Sequence, residues 1–262
     1  MRLENKVAIV TGAGDGIGRA TAVLLASEGA SVVCTDVDHT SGEETAETVR
    51  RSAGVGFYCP LDVRNSEEAE AAVAWTEGRF GRVDILVANA GTVGGSAFAK
   101  PMEALSDEEW NLVIDVNLTG VFRCFRAAIP AMRRAGGGAL SATASIAALT
   151  GVAGQSVYSA SKGGIVALVR SLAYQLEPDG IRVNCVCPGG VRTSLVARTP
   201  GAPRPASAPD APQPAHSIRS GEPEEVAHAH LFLVSAEASF INGHALVADA
   251  GSMIANRWLL PE

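Results

Sequence analysis

The first third of the chain alternates between short apolar runs and longer segments of mixed polarity. The apolar runs cover residues 7–12, 31–36, 55–62 and 84–91 and are rich in valine, isoleucine, leucine and alanine. They are apolar at consecutive positions rather than at every second one, which is typical of parallel strands buried on both faces. The pattern therefore predicts four parallel strands. The segments between them have the apolar spacing of helices, so the alternation predicts right-handed crossovers with helices on both faces of the sheet.

The rest of the chain continues this alternation with longer helices. Helices are predicted over residues 107–117, 118–134 and 155–176, and three more strands over residues 137–145, 180–189 and 243–251. No linker or internal repeat divides the sequence. We therefore predict an α/β protein with one domain over residues 1–262, built on a seven-stranded, mostly parallel sheet.

Residues 199–221 break the pattern, because they contain six of the 13 prolines. Proline lacks the amide donor and fixes φ, so a regular helix is excluded here. We expect a surface loop over about residues 193–221, since loops of this length are uncommon unless they are functional or disordered. A tolerated insertion and a lid over a binding site are both open interpretations.

Charge and cysteine content narrow the function classes. The net charge of −7 argues against a nucleic-acid or anionic-membrane surface. No apolar stretch reaches the roughly 20 residues that cross a bilayer, and the N-terminus does not resemble a signal peptide. The five cysteines are odd in number and form no Cys-x-x-Cys pair, so neither disulfides nor a zinc site are predicted. We expect a cytoplasmic protein without a metal site, since His228 and His230 are spaced to point in different directions.

The glycine-rich segment "TGAGDGIG", residues 11–18, falls at the turn from the first strand into the first helix. Glycine allows a sharp turn and close approach to a pyrophosphate, which the N–H groups of the following helix then bind. Asp36 ends the second strand, where a carboxylate accepts hydrogen bonds from both adenosine ribose hydroxyls and repels a 2′-phosphate. With Asp15 in the glycine turn and no positive residue before Arg19, the sequence favours NAD over NADP.

Five motifs in this order resemble the short-chain dehydrogenase/reductase family over residues 6–251. They are "TGAGDGIG", "DV" at Asp62, "NAG" at Asn89, "YSASK" at Tyr158 and "PGGVRT" at Pro188. The resemblance implies a Rossmann fold and hydride transfer between NAD(H) and a secondary alcohol or ketone. It implies cofactor contacts at Gly12, Asp15, Gly16, Ile17, Gly18, Asp36, Asp62, Val63, Asn89, Ala90, Gly91, Tyr158, Lys162, Pro188, Gly189, Val191 and Thr193.

The resemblance also implies a catalytic set of Asn117, Ser145, Tyr158 and Lys162. A phenol with a pKa of about 10 is a poor base at neutral pH, so we expect Lys162, one helical turn along, to lower the pKa of Tyr158. Ser145 is expected to stabilise charge on the substrate oxygen. The resemblance gives Asn117 the role of perturbing its helix and holding a water linked to Lys162.

Further residues are assigned by position. Val191 and Thr193 resemble the pair that orients the nicotinamide carboxamide. The pocket candidates are apolar and predict a hydrophobic substrate; they are Val93, Ile146, Leu149, Val152 and Leu195. The sequence departs from the family at Ala250, where a glycine is frequent, and this change is expected to affect packing or subunit contact.

Two alternatives to an NAD-dependent alcohol dehydrogenase or ketone reductase stay open. One is a 3-oxoacyl-carrier-protein reductase, which Asp36 disfavours because those enzymes usually take NADPH. The other is a non-catalytic NAD-binding sensor or scaffold, which the complete catalytic set disfavours. The family commonly forms tetramers, so we expect a homo-oligomer, a tetramer or a dimer, to which the apolar tail at residues 258–260 contributes.

Overall fold

The computed structural model describes residues 1–197 and 219–254, which form one parallel sheet. Its strands are β1 (Val7–Thr11), β2 (Ser31–Asp36), β3 (Val55–Pro60), β4 (Ile85–Ala88), β5 (Gly138–Thr143), β6 (Ile181–Pro188) and β7 (Ala245–Ala248). The strand order is β3-β2-β1-β4-β5-β6-β7, and every neighbouring pair is parallel. The predicted seven-stranded sheet is confirmed. Most of the proline-rich segment and the whole apolar tail at residues 258–260 lie outside the described residues.

The helices follow the strands in the expected order. Those of the described residues are α1 (Gly16–Ser27), α2 (His39–Arg51), α3 (Ser66–Phe80), α4 (Asp107–Ile114), α5 (Gly120–Arg134), α6 (Ser156–Leu176), the short α7 (Ser194–Ala197) and α8 (Pro223–Val234). Side-chain caps fix several of the starts, for example Asn65, whose side chain accepts from two amides of the first turn of α3.

Helices cover both faces of the sheet, and successive strand residues point into different cores. Ile9 packs with side chains of α3, α5 and α6, among them Phe125. Ala8 and Val10 pack on the opposite face with side chains of α1, α2 and α8, among them Leu25 and Leu231. Both faces of β1 are therefore buried, which is the physical reason for its continuously apolar sequence.

The strand order reverses between β1 and β4. The chain runs outward from β1 through β2 and β3, returns to β4 beside β1, and then runs outward the other way. In open parallel sheets the loops beyond the carboxyl ends of the strands part at this point and leave a crevice. The glycine-rich turn follows β1 and the Asn89 motif follows β4, so both flank this crevice.

A π-helical turn, Asp115–Thr119, separates α4 from α5. It surrounds Asn117, which is fully buried. Turns of this kind appear mostly as local insertions in α-helices, frequently at functional sites. The structure thus places Asn117 within a perturbed turn of the helix, and its expected role of perturbing the helix and holding a water stays a prediction.

Candidate active site

Tyr158 and Lys162 lie one turn apart near the beginning of α6. The Lys162 Nζ atom is 5.6 Å from the centre of the Tyr158 ring. Lys162 is 3% exposed, and its ammonium donates a hydrogen bond to the backbone carbonyl of Thr143 at the end of β5, with 2.7 Å between the atoms. The helix therefore directs both side chains toward the carboxyl end of the sheet.

Burial disfavours the charged form of both side chains, so it lowers the pKa of Lys162 and raises that of Tyr158. The pKa of Lys162 falls to about 8, mainly because burial disfavours the ammonium. Burial raises the pKa of Tyr158, and a hydrogen bond with the Ser145 side chain acts in the opposite direction. Our expectation that Lys162 lowers the Tyr158 pKa is therefore wrong for the folded chain alone. The burial of the phenol is the larger effect, and the group that opposes it is Ser145.

Ser145 lies two residues after the end of β5 and caps a short 3-10 helix, Ile146–Ala148. Its Oγ accepts a hydrogen bond from the amide of Ala147, 3.1 Å away. This contact fixes the side chain in front of the strand end, where it also reaches Tyr158. The two hydroxyls that the sequence places thirteen residues apart therefore come together.

Asn117 connects the loop after β4 with the catalytic helix. Its Oδ1 accepts from the amide of Thr92 at 2.7 Å, and its Nδ2 donates to the Thr92 carbonyl at 2.8 Å. The same Nδ2 donates to Ser161 Oγ at 3.1 Å, and Ser161 donates to the carbonyl of Tyr158. Through Ser161, Asn117 therefore fixes the position of the Tyr158 backbone.

Gly91 separates Asn117 from Lys162. A Cβ atom at Gly91 would lie 3.3 Å from Asn117 Oδ1 and 3.5 Å from Lys162 Nζ. Glycine thus leaves the space between these two polar groups open. The four predicted catalytic residues converge around this point, at the carboxyl ends of β4 and β5.

The glycine-rich turn packs too closely for side chains. A Cβ atom at Gly12 would lie 2.8 Å from Ala90 Cα, and one at Gly18 would lie 2.0 Å from the Gly12 carbonyl oxygen. Gly12 and Gly16 also have positive φ angles of 61° and 51°. Asp15 caps α1, and its Oδ1 accepts from the Gly16 amide at 2.7 Å. The N–H groups in the first turn of α1 have no acceptor within the helix, because no helical turn precedes them. They are therefore suited to binding a pyrophosphate.

Thr11 and Asn89 join the glycine-rich turn to the loop after β4. The Asn89 Nδ2 donates to the carbonyls of Thr11 and Gly12, each at 3.2 Å. In return, the amides of Asn89 and Ala90 donate to Thr11 Oγ1 at 3.0 and 3.1 Å. Thr11 is the first residue of the glycine-rich segment but was not among the predicted cofactor contacts.

Asp36 and Asp62 lie at the carboxyl ends of neighbouring strands but have different partners. The carboxylate of Asp36 accepts from the amides of Gly14 and Asp38 at 2.8 and 2.9 Å, and each oxygen keeps a second lone pair for a ligand hydroxyl. The carboxylate of Asp62 forms an ion pair with Arg64, at 2.6 Å, which lowers its pKa. Its neighbour Val63 is buried and packs close to Gly120.

The segment that follows β6 contacts the glycine-rich turn through Thr193 and Ser194. A Cβ atom at Gly16 would lie 3.0 Å from Thr193 Cγ2, and the Ser194 hydroxyl donates to the Asp15 carboxylate. Gly189, which follows Pro188, lies where a Cβ would be 2.9 Å from Asp249. Ile17 packs with Val191 in an apolar cluster beneath this segment. The predicted cofactor residues of the first and sixth strands are therefore adjacent.

The pocket candidates differ in exposure. Val93 is buried, whereas Ile146 and Val152 are half-buried. Leu149 and Leu195 are each 38% exposed, although both are large apolar side chains. Ile146 and Leu149 lie in the short segment that begins at Ser145, so they adjoin the catalytic hydroxyls. The structure leaves apolar surface beside the candidate site.

Comparison with known proteins agrees with this geometry. A family profile described as enoyl-(acyl carrier protein) reductase matches residues 12–253. The chain is 38% identical over 249 residues to the cyclohexanol dehydrogenase of Acinetobacter sp., with 95% of each chain covered. It is 35% identical over 257 residues to the 3-oxoacyl-acyl-carrier-protein reductase of Thermotoga maritima, covering 97% of this chain and 100% of the relative.

The fold is also similar to that of solved structures. A 7α-hydroxysteroid dehydrogenase solved with NADH and 7-oxo glycochenodeoxycholic acid has a TM-score of 0.84 and 31% identity, with 95% of each chain covered. The chain therefore belongs to the short-chain dehydrogenase/reductase family. It is a nicotinamide-dependent oxidoreductase that acts on secondary alcohols or ketones. None of the helices within the described ranges is long and apolar enough to cross a membrane.

Proposed function

We propose that this protein is an NAD-dependent dehydrogenase of hydrophobic, cyclic secondary alcohols, or a reductase of the corresponding ketones. The observation that carries the proposal is the convergence of Ser145, Tyr158, Lys162 and Asn117 beside the glycine-rich turn. When NAD is bound, it supplies the hydride acceptor. The chain's own residues have to orient the alcohol, accept its proton and select the dinucleotide and the substrate.

Tyr158 is the proton acceptor during alcohol oxidation. Its phenolate oxygen takes the hydroxyl proton of the substrate and becomes the neutral phenol, while the hydride leaves the carbinol carbon and Ser145 donates a hydrogen bond to the substrate oxygen as its charge develops. The Lys162 ammonium, 5.6 Å from the centre of the Tyr158 ring and fixed by the Thr143 carbonyl, attracts the phenolate, although burial of the phenol outweighs this attraction in the chain without cofactor. Asn117 positions the helix through Ser161. In ketone reduction the proton moves in the opposite direction through the same groups.

The preference for NAD over NADP rests on Asp36. Its carboxylate is anchored by two backbone amides and presents further lone pairs beside the glycine-rich turn. A 2′-phosphate at this position would meet a fixed negative charge, with no cation supplied by Val37 or Asp38. The NADH complex of the related hydroxysteroid dehydrogenase supports this choice.

The substrate class follows from two independent features. Ile146 and Leu149 offer apolar surface in the segment that begins at Ser145, Leu195 adds an exposed apolar side chain in the segment after β6, and the Acinetobacter relative is a cyclohexanol dehydrogenase. A 3-oxoacyl-acyl-carrier-protein reductase is the second candidate, because the Thermotoga relative has that activity and is covered over its full length.

We further propose a cytoplasmic homo-oligomer, a tetramer or dimer. Phe240 and Val247, both large apolar side chains near the sheet edge, are exposed and available for subunit contact.

One experiment separates these candidates. Purified protein is assayed with cyclohexanol, cyclopentanol, their ketones and an acetoacetyl thioester, each with NAD(H) and with NADP(H), by absorbance of the reduced nicotinamide. We expect the highest kcat/KM for a cyclic alcohol or ketone with the NAD couple. A higher kcat/KM for the thioester with NADPH would favour the second candidate. Binding of NADH without turnover of any substrate would favour a sensor or scaffold.

A further inference from the structure

His230 on α8 is completely buried and hydrogen-bonded at both ring nitrogens. Its Nδ1 lies 2.8 Å from Ser141 Oγ, and its Nε2 lies 3.0 Å from Thr143 Oγ1. Both hydroxyls belong to β5, and the two residues are on the same face of that strand because strand side chains alternate. A helix behind the sheet thus supplies an imidazole to a strand whose end carries catalytic groups.

The hydrogen bonds continue from Thr143 to the glycine-rich turn. Thr143 Oγ1 donates to Asn89 Oδ1 at 3.0 Å, and the Nδ2 of Asn89 donates to the carbonyls of Thr11 and Gly12. His230 is therefore linked to the backbone of the glycine-rich turn through two side chains. The backbone carbonyl of Thr143 is in addition the acceptor of Lys162.

Only one arrangement of protons satisfies this chain. The Asn89 amide nitrogen faces two carbonyls and must donate, so Asn89 Oδ1 faces Thr143 and can only accept. The single hydroxyl proton of Thr143 is used there, and Thr143 Oγ1 must accept from the Nε2–H of His230. A neutral imidazole carries one N–H, which leaves Nδ1 to accept from Ser141. Burial lowers the pKa of His230 to about 3, in agreement with a neutral ring.

We propose that His230 is a positioning residue for dinucleotide binding, which acts through Thr143 to fix the Asn89 amide and the glycine-rich turn. Without the imidazole, the Thr143 hydroxyl is free to rotate and the Asn89 amide loses its oriented donor. Asn89 then holds the Gly12 carbonyl less firmly, and the turn that receives the pyrophosphate is less well ordered in advance. This inference deepens the proposed function, since it rests on dinucleotide binding but not on the NAD preference or the substrate.

The variants test the hydrogen bonds at the two ring nitrogens of His230 separately. His230→Leu removes the donor to Thr143, whereas His230→Gln keeps a side-chain N–H that reaches it. Ser141→Ala is the matched control, because it removes a hydrogen bond of the same ring on the side that does not lead to Asn89. Each is titrated with NADH and with NADPH by intrinsic fluorescence, and its melting temperature is recorded in parallel.

We expect His230→Leu to weaken binding of the preferred dinucleotide about tenfold, and His230→Gln and Ser141→Ala to weaken it less than about threefold. In a Thr143→Val background, which keeps the backbone carbonyl, His230→Leu should cause less than a twofold further change. Equal losses of affinity for His230→Leu and Ser141→Ala, or an undiminished effect of His230→Leu without the Thr143 hydroxyl, would mean that the histidine is only structural.

A second measurement tests the proton arrangement without any cofactor. In protein labelled with 15N-histidine, the ring signals absent from the His230→Gln spectrum should report a protonated Nε2 and an unprotonated Nδ1 at pH 7. The opposite tautomer would overturn the inference even if the affinities change. Failure of the proposed function would appear already in the titration and assay of the unmodified protein, whereas failure of this inference appears only in the variants and the ring signals.

Discussion

The ammonium of Lys162 donates a 2.7 Å hydrogen bond to the backbone carbonyl of Thr143. This contact joins the catalytic helix α6 to the end of β5, two residues before Ser145. The pKa of Tyr158 is nevertheless raised, because burial of the phenol is the largest effect on it. The geometry of the proton-transfer groups therefore depends on the sheet as much as on the helix.

Tyr158→Phe should abolish turnover while dinucleotide binding survives, because the ring remains and only the proton-transferring oxygen is lost. We expect kcat to fall by at least about a hundredfold, within the usual contribution of general acid–base catalysis. Steady-state assays and NADH fluorescence titration measure the two effects. Tyr174→Phe, at a tyrosine that is 90% exposed, is the control and should keep full activity. Normal turnover by Tyr158→Phe would refute the catalytic assignment.

Asp36→Ala combined with Val37→Arg should shift the cofactor preference toward NADP. The change removes the anchored carboxylate and supplies a cation next to it at a position that is 70% exposed. We expect the ratio of kcat/KM for NADP to that for NAD to rise about a hundredfold, as two charge changes of 1–2 kcal/mol each would produce. Asp38→Ala removes a neighbouring carboxylate and should leave the ratio nearly unchanged. If the unmodified protein already prefers NADP, the role given to Asp36 is incorrect.

Gly91→Ala should slow catalysis without unfolding the protein. The new methyl group would lie 3.3 Å from Asn117 Oδ1 and 3.5 Å from Lys162 Nζ, so it narrows the space between them. We expect kcat to fall about tenfold, equivalent to about 1.4 kcal/mol, with an unchanged melting temperature. Gly163→Ala is the matched control, since the nearest atom to its added Cβ lies 4.0 Å away. Equal kcat values for the two variants would show that this space is not needed.

His230 should make the protein less stable as the pH falls below 6.5. Its folded pKa of about 3 lies below its unfolded value of 6.5, so between these values only the unfolded chain takes up the proton and stability is lost on acidification. At pH 5 the loss should reach about 2 kcal/mol. Urea unfolding between pH 5 and 7 measures the slope, above the range where carboxylates such as Glu109 and Glu225 contribute. His230→Gln should flatten the slope, whereas exposed His228→Gln should retain it; retention by both would contradict the prediction.

Ala250→Gly should stabilise the folded chain. Ala250 has a φ angle of 52°, in the left-handed region that costs a residue with a Cβ about 1–2 kcal/mol. We expect the free energy of unfolding to rise by about 0.5–1 kcal/mol, as glycine relieves this strain but adds freedom to the unfolded chain. Chemical denaturation measures the change. Ala248→Gly, at an extended position in β7, should instead lower the stability, and a loss in both variants would mean that the strain at Ala250 is compensated.

Much of the architecture could be predicted from the sequence, because it depends on local patterns. Strands buried on both faces need consecutive apolar residues, and β1 through β4 begin at or within one residue of the predicted positions. The i,i+4 spacing of Tyr158 and Lys162 determines that they share a helix face in any α-helix. The glycine-rich turn could also be predicted, because a close backbone approach requires glycine and the glycines are visible in the sequence. The structure has this close approach at Gly12 and Gly18, where nearby backbone atoms leave no room for a Cβ.

The tertiary structure alone decided which partners these residues meet. Lys162 could be placed on its helix face, but its bond to the Thr143 carbonyl depends on how α6 packs against β5. Burial, which reverses the expected shift of the Tyr158 pKa, is likewise a property of the whole fold. His230 has no local signal at all: its imidazole is paired with hydroxyls 87 and 89 residues away in the chain. Sequence periodicity records which face of an element is buried, whereas hydrogen-bond partners and desolvation depend on contacts between distant segments that no local pattern encodes.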